Sequence, residues 1–121
     1  MATWQEVQGF IKSNYKVISD SGSLISMGFG FTDGRSQLIH VGPVGEWLRF
    51  ASPVAKKAEV NVARLVEESK IFGVVDIGDY YALAHMQLLA TVDAAEITEV
   101  LSFLAGVADE VEKAVTSGDE F

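Results

Sequence analysis

The fold of this chain is decided by residues 80–115, which read YYALAHMQLLATVDAAEITEVLSFLAGVADEVEKAV. The first part, residues 80–90, predicts a β-strand, and successive side chains of a strand point to opposite faces. Both faces are apolar: one carries Ala82, Ala84, Met86 and Leu88, and the other carries Tyr81, Leu83 and Leu89. Such a strand needs cover on both sides. Helices packed on one face of the sheet cover that face. The apolar pattern therefore predicts that a dimer partner or a ligand covers the other face.

The second part of the stretch predicts a long helix that packs on the sheet. Asp93 is the expected N-cap, and Glu96 stands at the capping-box spacing from it. Apolar residues then recur at helical spacing for about six turns: Ile97, Val100, Leu101, Leu104, Val107, Ala108, Val111 and Val115.

The preceding residues predict the rest of a single α+β domain over residues 1–121. A first helix over residues 4–15 follows a capping box formed by Thr3 and Glu6. Further elements are a loop at 20–23, strands at 24–31, 36–42 and 46–52, a helix at about 56–71, and a strand at 72–77. The predicted order is α-β-β-β-α-β-β-α, an antiparallel sheet with helices packed on it.

Composition excludes several classes of protein. The 121 residues include no cysteine, which removes disulfides, thiolate nucleophiles and cysteine-ligated zinc. Neither a secretory signal nor an apolar run long enough to span a membrane is present, which predicts a soluble cytoplasmic protein.

Residues 65–121 carry two Lys/Arg and twelve Asp/Glu, a net charge of −10. Clustered cations are therefore missing, and we expect neither nucleic acid nor a membrane surface as partner. The acidity serves solubility or steers a basic partner segment.

Several local patterns resemble one bacterial family. The Asp33-Gly34 hairpin and the third strand precede a helix that contains residues 62–66, VARLV. A strand and turn at residues 72–79, FGVVDIGD, then leads to the apolar strand and to the long helix that begins after Asp93. This order and these patterns are similar to the type III secretion chaperone-like fold and to the related YbjN family, and the resemblance spans nearly the whole chain.

The resemblance implies a binding function but no catalytic or metal-binding residues. Chaperones of this type are small, acidic, cytosolic homodimers that bind a non-globular segment of a client, and YbjN proteins are described as regulators of sensory transduction. No catalytic residue, cofactor or metal ligand comes with either branch. Gly28 and Gly30 in the first predicted strand depart from the secretion chaperones. That departure favours the YbjN branch.

A few polar residues raise the alternative of a catalytic or metal site. His40 and His85, together with Asp76 or Asp79, have side chains that bind metals, but the spacing of a metal site is missing. Asp76 and Asp79 flank a turn at Gly78, where aspartate bonds its own backbone more often than it performs acid–base work. We therefore assign no catalytic, cofactor-binding or metal-ligating residue.

The sequence thus predicts a non-enzymatic, chaperone-like or regulatory binding module. We expect a homodimer that holds another protein or peptide segment on apolar sheet and helix surfaces. The predicted interface residues are Trp47, Tyr81, Leu83, His85 and Leu89. Two alternatives stay open: a small-ligand domain or enzyme that uses Asp76, Asp79 and His85, and an immunity-type or structural partner in a constitutive complex.

Overall fold

The computed structural model describes residues 3–116 of the chain. Its main elements, in chain order, are α1 Trp4–Asn14, β1 Lys16–Asp20, β2 Ile25–Gly30, β3 Ser36–Val44, β4 Trp47–Lys56, α2 Val62–Glu68, β5 Gly73–Ile77, β6 Tyr80–Leu88 and α3 Ala94–Thr116. A 3-10 turn, Lys57–Glu59, joins β4 to α2. The α+β class and the predicted order of elements are confirmed, with β1 as an addition.

The strands of the described residues form one antiparallel sheet in the order β1-β2-β3-β4-β6-β5. Tight turns join β2 to β3, β3 to β4 and β5 to β6. Each contains a glycine with positive φ, a conformation that glycine adopts without steric cost: Gly34, Gly45 and Gly78. Strands β4 and β6 pair along their whole length, from Trp47 opposite Leu88 to Lys56 opposite Tyr80. The short strand β5 therefore becomes an edge of the sheet.

All helices of the described residues pack on one side of this sheet, which we call the helix face. The strand residues that define the helix face include Ile25, Met27, Ile39, Val41, Leu48, Phe50 and Leu83. Buried helix residues join the same core: Val7 and Ile11 of α1, Leu65 of α2, and Ile97, Leu101 and Leu104 of α3. Each of these large side chains contributes about 1.5–3 kcal/mol by leaving water.

Polar contacts fix the helices in place. Asp93 caps α3 by accepting a hydrogen bond from the backbone N–H of Glu96 at 2.8 Å, as the sequence predicted. Arg35, after the β2–β3 turn, donates two hydrogen bonds to the Asp109 carboxylate in α3, at 2.7 and 2.9 Å. Such a bidentate pair holds the turn and the helix in one orientation.

No helix within residues 3–116 is long and apolar enough to cross a bilayer.

Strand β1 was missed, and the end of β4 was predicted too early. Residues 16–20 are too few to show a clear period, and β1 forms by pairing with β2. Pro53 does not close β4, because the strand is irregular between Pro53 and Ala55. A proline lacks a backbone N–H and is tolerated in a strand at such an irregularity.

The second helix is shorter than predicted. The predicted range began near residue 56, but β4 and the 3-10 turn use residues up to Glu59. The helix begins instead at Val62, after Asn61. The side chain of Asn61 accepts hydrogen bonds from the N–H groups of Ala63 and Arg64, at 2.9 and 3.3 Å. Asparagine is among the strongest N-capping residues, and this position was overlooked in the sequence.

Candidate protein-binding surface

The sheet has a second side, which carries no helix in residues 3–116 and which we call the open face. Its buried residues form a small cluster separate from the main core. Alternation along the strands defines the apolar half of this face as Trp47, Ala51 and Pro53 of β4, Tyr80, Ala82, Ala84, Met86 and Leu88 of β6, and Val75 and Ile77 of β5, with the cationic Arg49 of β4 among them. The prediction that the strand at 80–90 is apolar on both faces therefore agrees with the structure.

The apolar half combines a ridge of large side chains with smaller side chains beside it. Trp47, Met86 and Leu88 form the ridge and are 46%, 40% and 39% exposed. Ala51 and Ala84, which pair with each other one row beyond Arg49 and Met86, are 0% and 9% exposed. Contiguous exposed apolar surface of this kind marks interaction sites on proteins.

The charge of the open face differs from that of the whole chain, which is −8. The charged strand residues on this face, among those described, are Lys16, Arg49 and Lys56. The strand carboxylates of the described residues, Asp20 and Asp76, lie on the helix face. There Asp20 contacts Lys12 of α1, and Asp76 pairs with Lys57 at 2.6 Å. The open face is therefore weakly basic on an acidic protein.

A neutral histidine lies beside the apolar half of the open face. His40 Nδ1 on β3 and Ser26 Oγ on β2 are hydrogen-bonded at 2.7 Å. Burial of the imidazole lowers the pKa of His40 below its ordinary value of 6.5, and the positive charge of Arg49 adds to the effect. The folded state therefore favours the uncharged ring near neutral pH.

This lowered pKa predicts a loss of stability on mild acidification. Below about pH 6.5 the unfolded chain binds a proton at His40 that the folded chain resists, so unfolding becomes more favourable as the pH falls toward the folded-state pKa. We expect the urea midpoint to fall between about pH 7.5 and pH 5.5, and to fall less in His40→Gln. Tryptophan fluorescence during urea titration measures both midpoints. An equal fall in the two proteins contradicts the prediction.

The structure separates the residues predicted at an interface. Trp47 lies on the open face. Leu83 is fully buried in the helix-face core, and Tyr81 and Leu89 pack against that core. His85 also lies on the helix face, in a cleft beside α3. The interface prediction was wrong for Leu83, because the helices cover the face that carries it.

The exposed residues of the same strand are those of the other apolar set. Met86 and Leu88 share the open face with Trp47, whose register partner is Leu88. The alternation of residues 80–90 contained both sets, and the missing information was which face the helices cover. Large apolar side chains such as those of Tyr81 and Leu83 are common both at interfaces and in a core, so side-chain size does not identify the exposed face.

The structure does not bring His85 together with the two aspartates of the enzymatic alternative. Asp76 is paired with Lys57, and Asp79 lies in the β5–β6 turn, where its carbonyl oxygen accepts a hydrogen bond from the Lys57 N–H at 2.9 Å. His85 lines a cleft that contains neither aspartate, and the cavity that contains Asp79 does not include His85. Neither of these two cavities holds two of the three side chains.

The two histidines also fail to converge. His40 pairs with Ala51 on the open face, whereas His85 pairs with Phe50 on the helix face, with strand β4 between β3 and β6. Within residues 3–116 no group of three or more histidine, aspartate or glutamate side chains is placed to hold a metal ion. The arrangement of these residues gives no geometric support to a metal site.

Comparisons of the chain with protein-family models, with curated proteins and with solved structures find no match. The similarity to the type III secretion chaperone-like and YbjN proteins therefore stays a prediction from sequence patterns.

Proposed function

We propose that this protein is a non-enzymatic, chaperone-like or regulatory binding module that forms a homodimer through the open face and holds a partner polypeptide. The observation that carries this proposal is the exposed ridge of Trp47, Met86 and Leu88, on a sheet face that carries none of the described helices. Burial of such surface contributes about 25 cal/mol per Å² of apolar area. A second copy of the chain can cover these side chains.

The size of the open face supports a dimer. Six strands span about 29 Å at the usual spacing of about 4.8 Å, and the nine-residue strand β6 is about 30 Å long. A specific interface uses about 800 Å² of accessible surface on each partner. The plan area of the whole sheet, polar half included, is of this order, so a second copy of the domain is large enough to cover the apolar half.

The shape of the face suits contact with a copy of itself. A two-fold axis makes the same patch face itself and exchanges its two ends. Such an arrangement can place the ridge of Trp47, Met86 and Leu88 on one copy over the small side chains of Ala51 and Ala84 on the other. Packed sheets lie about 10 Å apart, a distance that such alternation of large and small side chains accommodates.

The charge of the face supports the same assignment. Two copies of a chain with a net charge of −8 repel each other. An interface through the helix face brings the acidic α3 helices together, whereas the open face contributes no strand carboxylate within the described residues. Association through the open face therefore keeps the strand carboxylates of the two copies apart, although it also brings the cationic Arg49 of each copy to the interface, which opposes association.

Light scattering coupled to size-exclusion chromatography tests the dimer with Met86→Asp. The side chain of Met86 is 40% exposed in one copy, so we expect the variant to stay folded. In the dimer each copy would bury one such carboxylate at the interface, which destabilises the dimer by several kcal/mol. We expect a wild-type dimer and a monomeric variant with an unchanged circular dichroism spectrum.

The matched control is Phe103→Asp, which replaces an exposed apolar residue of α3 on the helix side. We expect this variant to stay dimeric. A wild type that is monomeric at hundreds of micromolar, or a Met86→Asp variant that dimerises as well as the wild type, rejects the open face as the dimer interface.

A further inference from the structure

A second apolar surface lies on the helix side, in a cleft between α3 and the sheet. It has a volume of about 160 Å³ and is lined by Ile71, Phe72, His85, Glu99, Val100 and Phe103. Ile71 and Phe103 are 74% and 49% exposed. An apolar cavity of about 150 Å³ holds a benzene molecule, so this cleft has room for one aromatic or aliphatic side chain.

The floor of the cleft is rigidly built. Phe72 is buried and contacts Phe103 edge to face, with ring centroids 5.4 Å apart. It also contacts the His85 ring edge to face at 6.1 Å. Edge-to-face contacts contribute about 0.5–1.5 kcal/mol beyond area burial and fix the orientation of the rings. An incoming side chain therefore meets a preformed apolar wall.

The surroundings of the cleft are acidic. Glu99 lines the cleft, and no lysine or arginine is among the lining residues. Two nearby cations on the α2 side are already engaged. Lys70 binds the Glu110 carboxylate at 3.2 Å, and Arg64 donates to the Ala114 carbonyl oxygen at 2.9 Å. The Glu99 carboxylate, on a chain with a net charge of −8, thus favours a cationic ligand at the cleft.

We propose that this cleft binds a basic segment of a partner protein by taking up one of its apolar side chains. The anchor is a phenylalanine or leucine of the partner, and its flanking lysines or arginines lie against Glu99 at the edge of the cleft. This inference rests on the proposed function, because it supplies the site at which the binding module holds its partner. The cleft and the open face lie on opposite sides of the sheet, so a dimer presents two clefts outward.

Nuclear magnetic resonance with a defined peptide tests the proposal. The probe is a seven-residue peptide with a central phenylalanine between two glycines and two lysines at each end. Control peptides replace the phenylalanine by alanine, or the lysines by glutamates. We expect amide shifts at Ile71, His85 and Phe103 with the probe, and an affinity at least about tenfold lower for each control peptide. Affinity should also fall as salt rises, since exposed charges are screened.

Variants of the cleft sharpen the test. We expect Phe103→Asp to abolish binding of the probe and Glu99→Lys to weaken it at least about tenfold. Glu59→Lys makes the same change of charge in the 3-10 turn, away from the lining residues, and should leave the affinity unchanged. Shifts that map elsewhere, equal affinity for all three peptides, or no shifts at millimolar probe overturn the proposal.

The outcomes distinguish this proposal from the dimer. Met86→Asp should lose the dimer and keep binding of the probe, whereas Phe103→Asp should keep the dimer and lose binding. A monomeric wild type that binds the probe at the cleft rejects only the dimer. A dimer that does not bind the probe rejects only the cleft.

Discussion

Leu83→Asp is expected to unfold the protein, whereas Met86→Asp, three residues further along β6, is expected to leave it folded. The two residues point to opposite faces of the sheet. Leu83 is fully buried between the sheet and the helices, and Met86 is partly open to solvent on the open face. The same chemical change therefore meets two different surroundings.

The expected cost at Leu83 has two parts. Removal of a buried leucine side chain costs about 2–5 kcal/mol through lost burial and the cavity that remains. An unpaired carboxylate in an apolar core costs several kcal/mol more, either as a buried charge or as a group forced to take up a proton. Because domains of this size are stable by about 5–15 kcal/mol, the sum is comparable with the whole free energy of unfolding.

Far-ultraviolet circular dichroism and urea titration measure the outcome. Leu83→Met keeps the volume and should cost less than about 1.5 kcal/mol, so it serves as the control for the position itself. A Leu83→Asp variant with a wild-type urea midpoint contradicts the burial of this residue. The assignment of the helix face and the open face is then reversed, and the proposed dimer interface lies on the face that carries Leu83.

Local features of the fold were predictable because their causes lie within a few residues. Asp93 caps α3 through a hydrogen bond from the Glu96 N–H, and both residues belong to the first turn of the helix. Gly34 and Gly78 allow the positive φ of their turns. The long α3 and the doubly apolar β6 follow from side-chain periods alone.

Other features depended on pairing between distant residues and could not be predicted locally. Strand β1 exists because β2 offers it hydrogen-bonding partners, from Lys16 opposite Gly28 to Asp20 opposite Ile25. Pro53 stays inside β4 because the strand is irregular beside it, while its carbonyl oxygen accepts a hydrogen bond from Gln37 at 3.0 Å. The sequence near each residue does not contain these partners.

The candidate surfaces also depend partly on local sequence patterns and partly on contacts between distant residues. The alternation of β6 identified two apolar sets of residues, but only the packing of the helices decides which set is exposed. Met86 was therefore passed over in favour of Leu83. The cleft joins Ile71, His85 and Phe103, which come from three separate parts of the chain. No local pattern relates residues so far apart, so the cleft was not predicted.

Phe50→Ala is expected to lower the free energy of unfolding by about 3–5 kcal/mol without disturbing the proposed dimer. Phe50 is fully buried on the helix face of β4, between Val41 of β3 and His85 of β6 in register. Its ring is among the largest fully buried side chains of the domain. Neighbouring strands cannot collapse into the cavity that the truncation leaves, because their hydrogen bonds fix their spacing.

The urea midpoint and the mass in solution are measured on the same variant. Phe50→Leu keeps most of the volume and should lose well under half as much stability, which separates cavity formation from loss of the ring itself. Since Phe50 points away from the open face, the variant should remain dimeric under native conditions. A stable Phe50→Ala variant contradicts the packed core beneath α3. A folded variant that is monomeric shows instead that the helix face contributes to association, and the dimer interface then needs to be placed on both sides of β4.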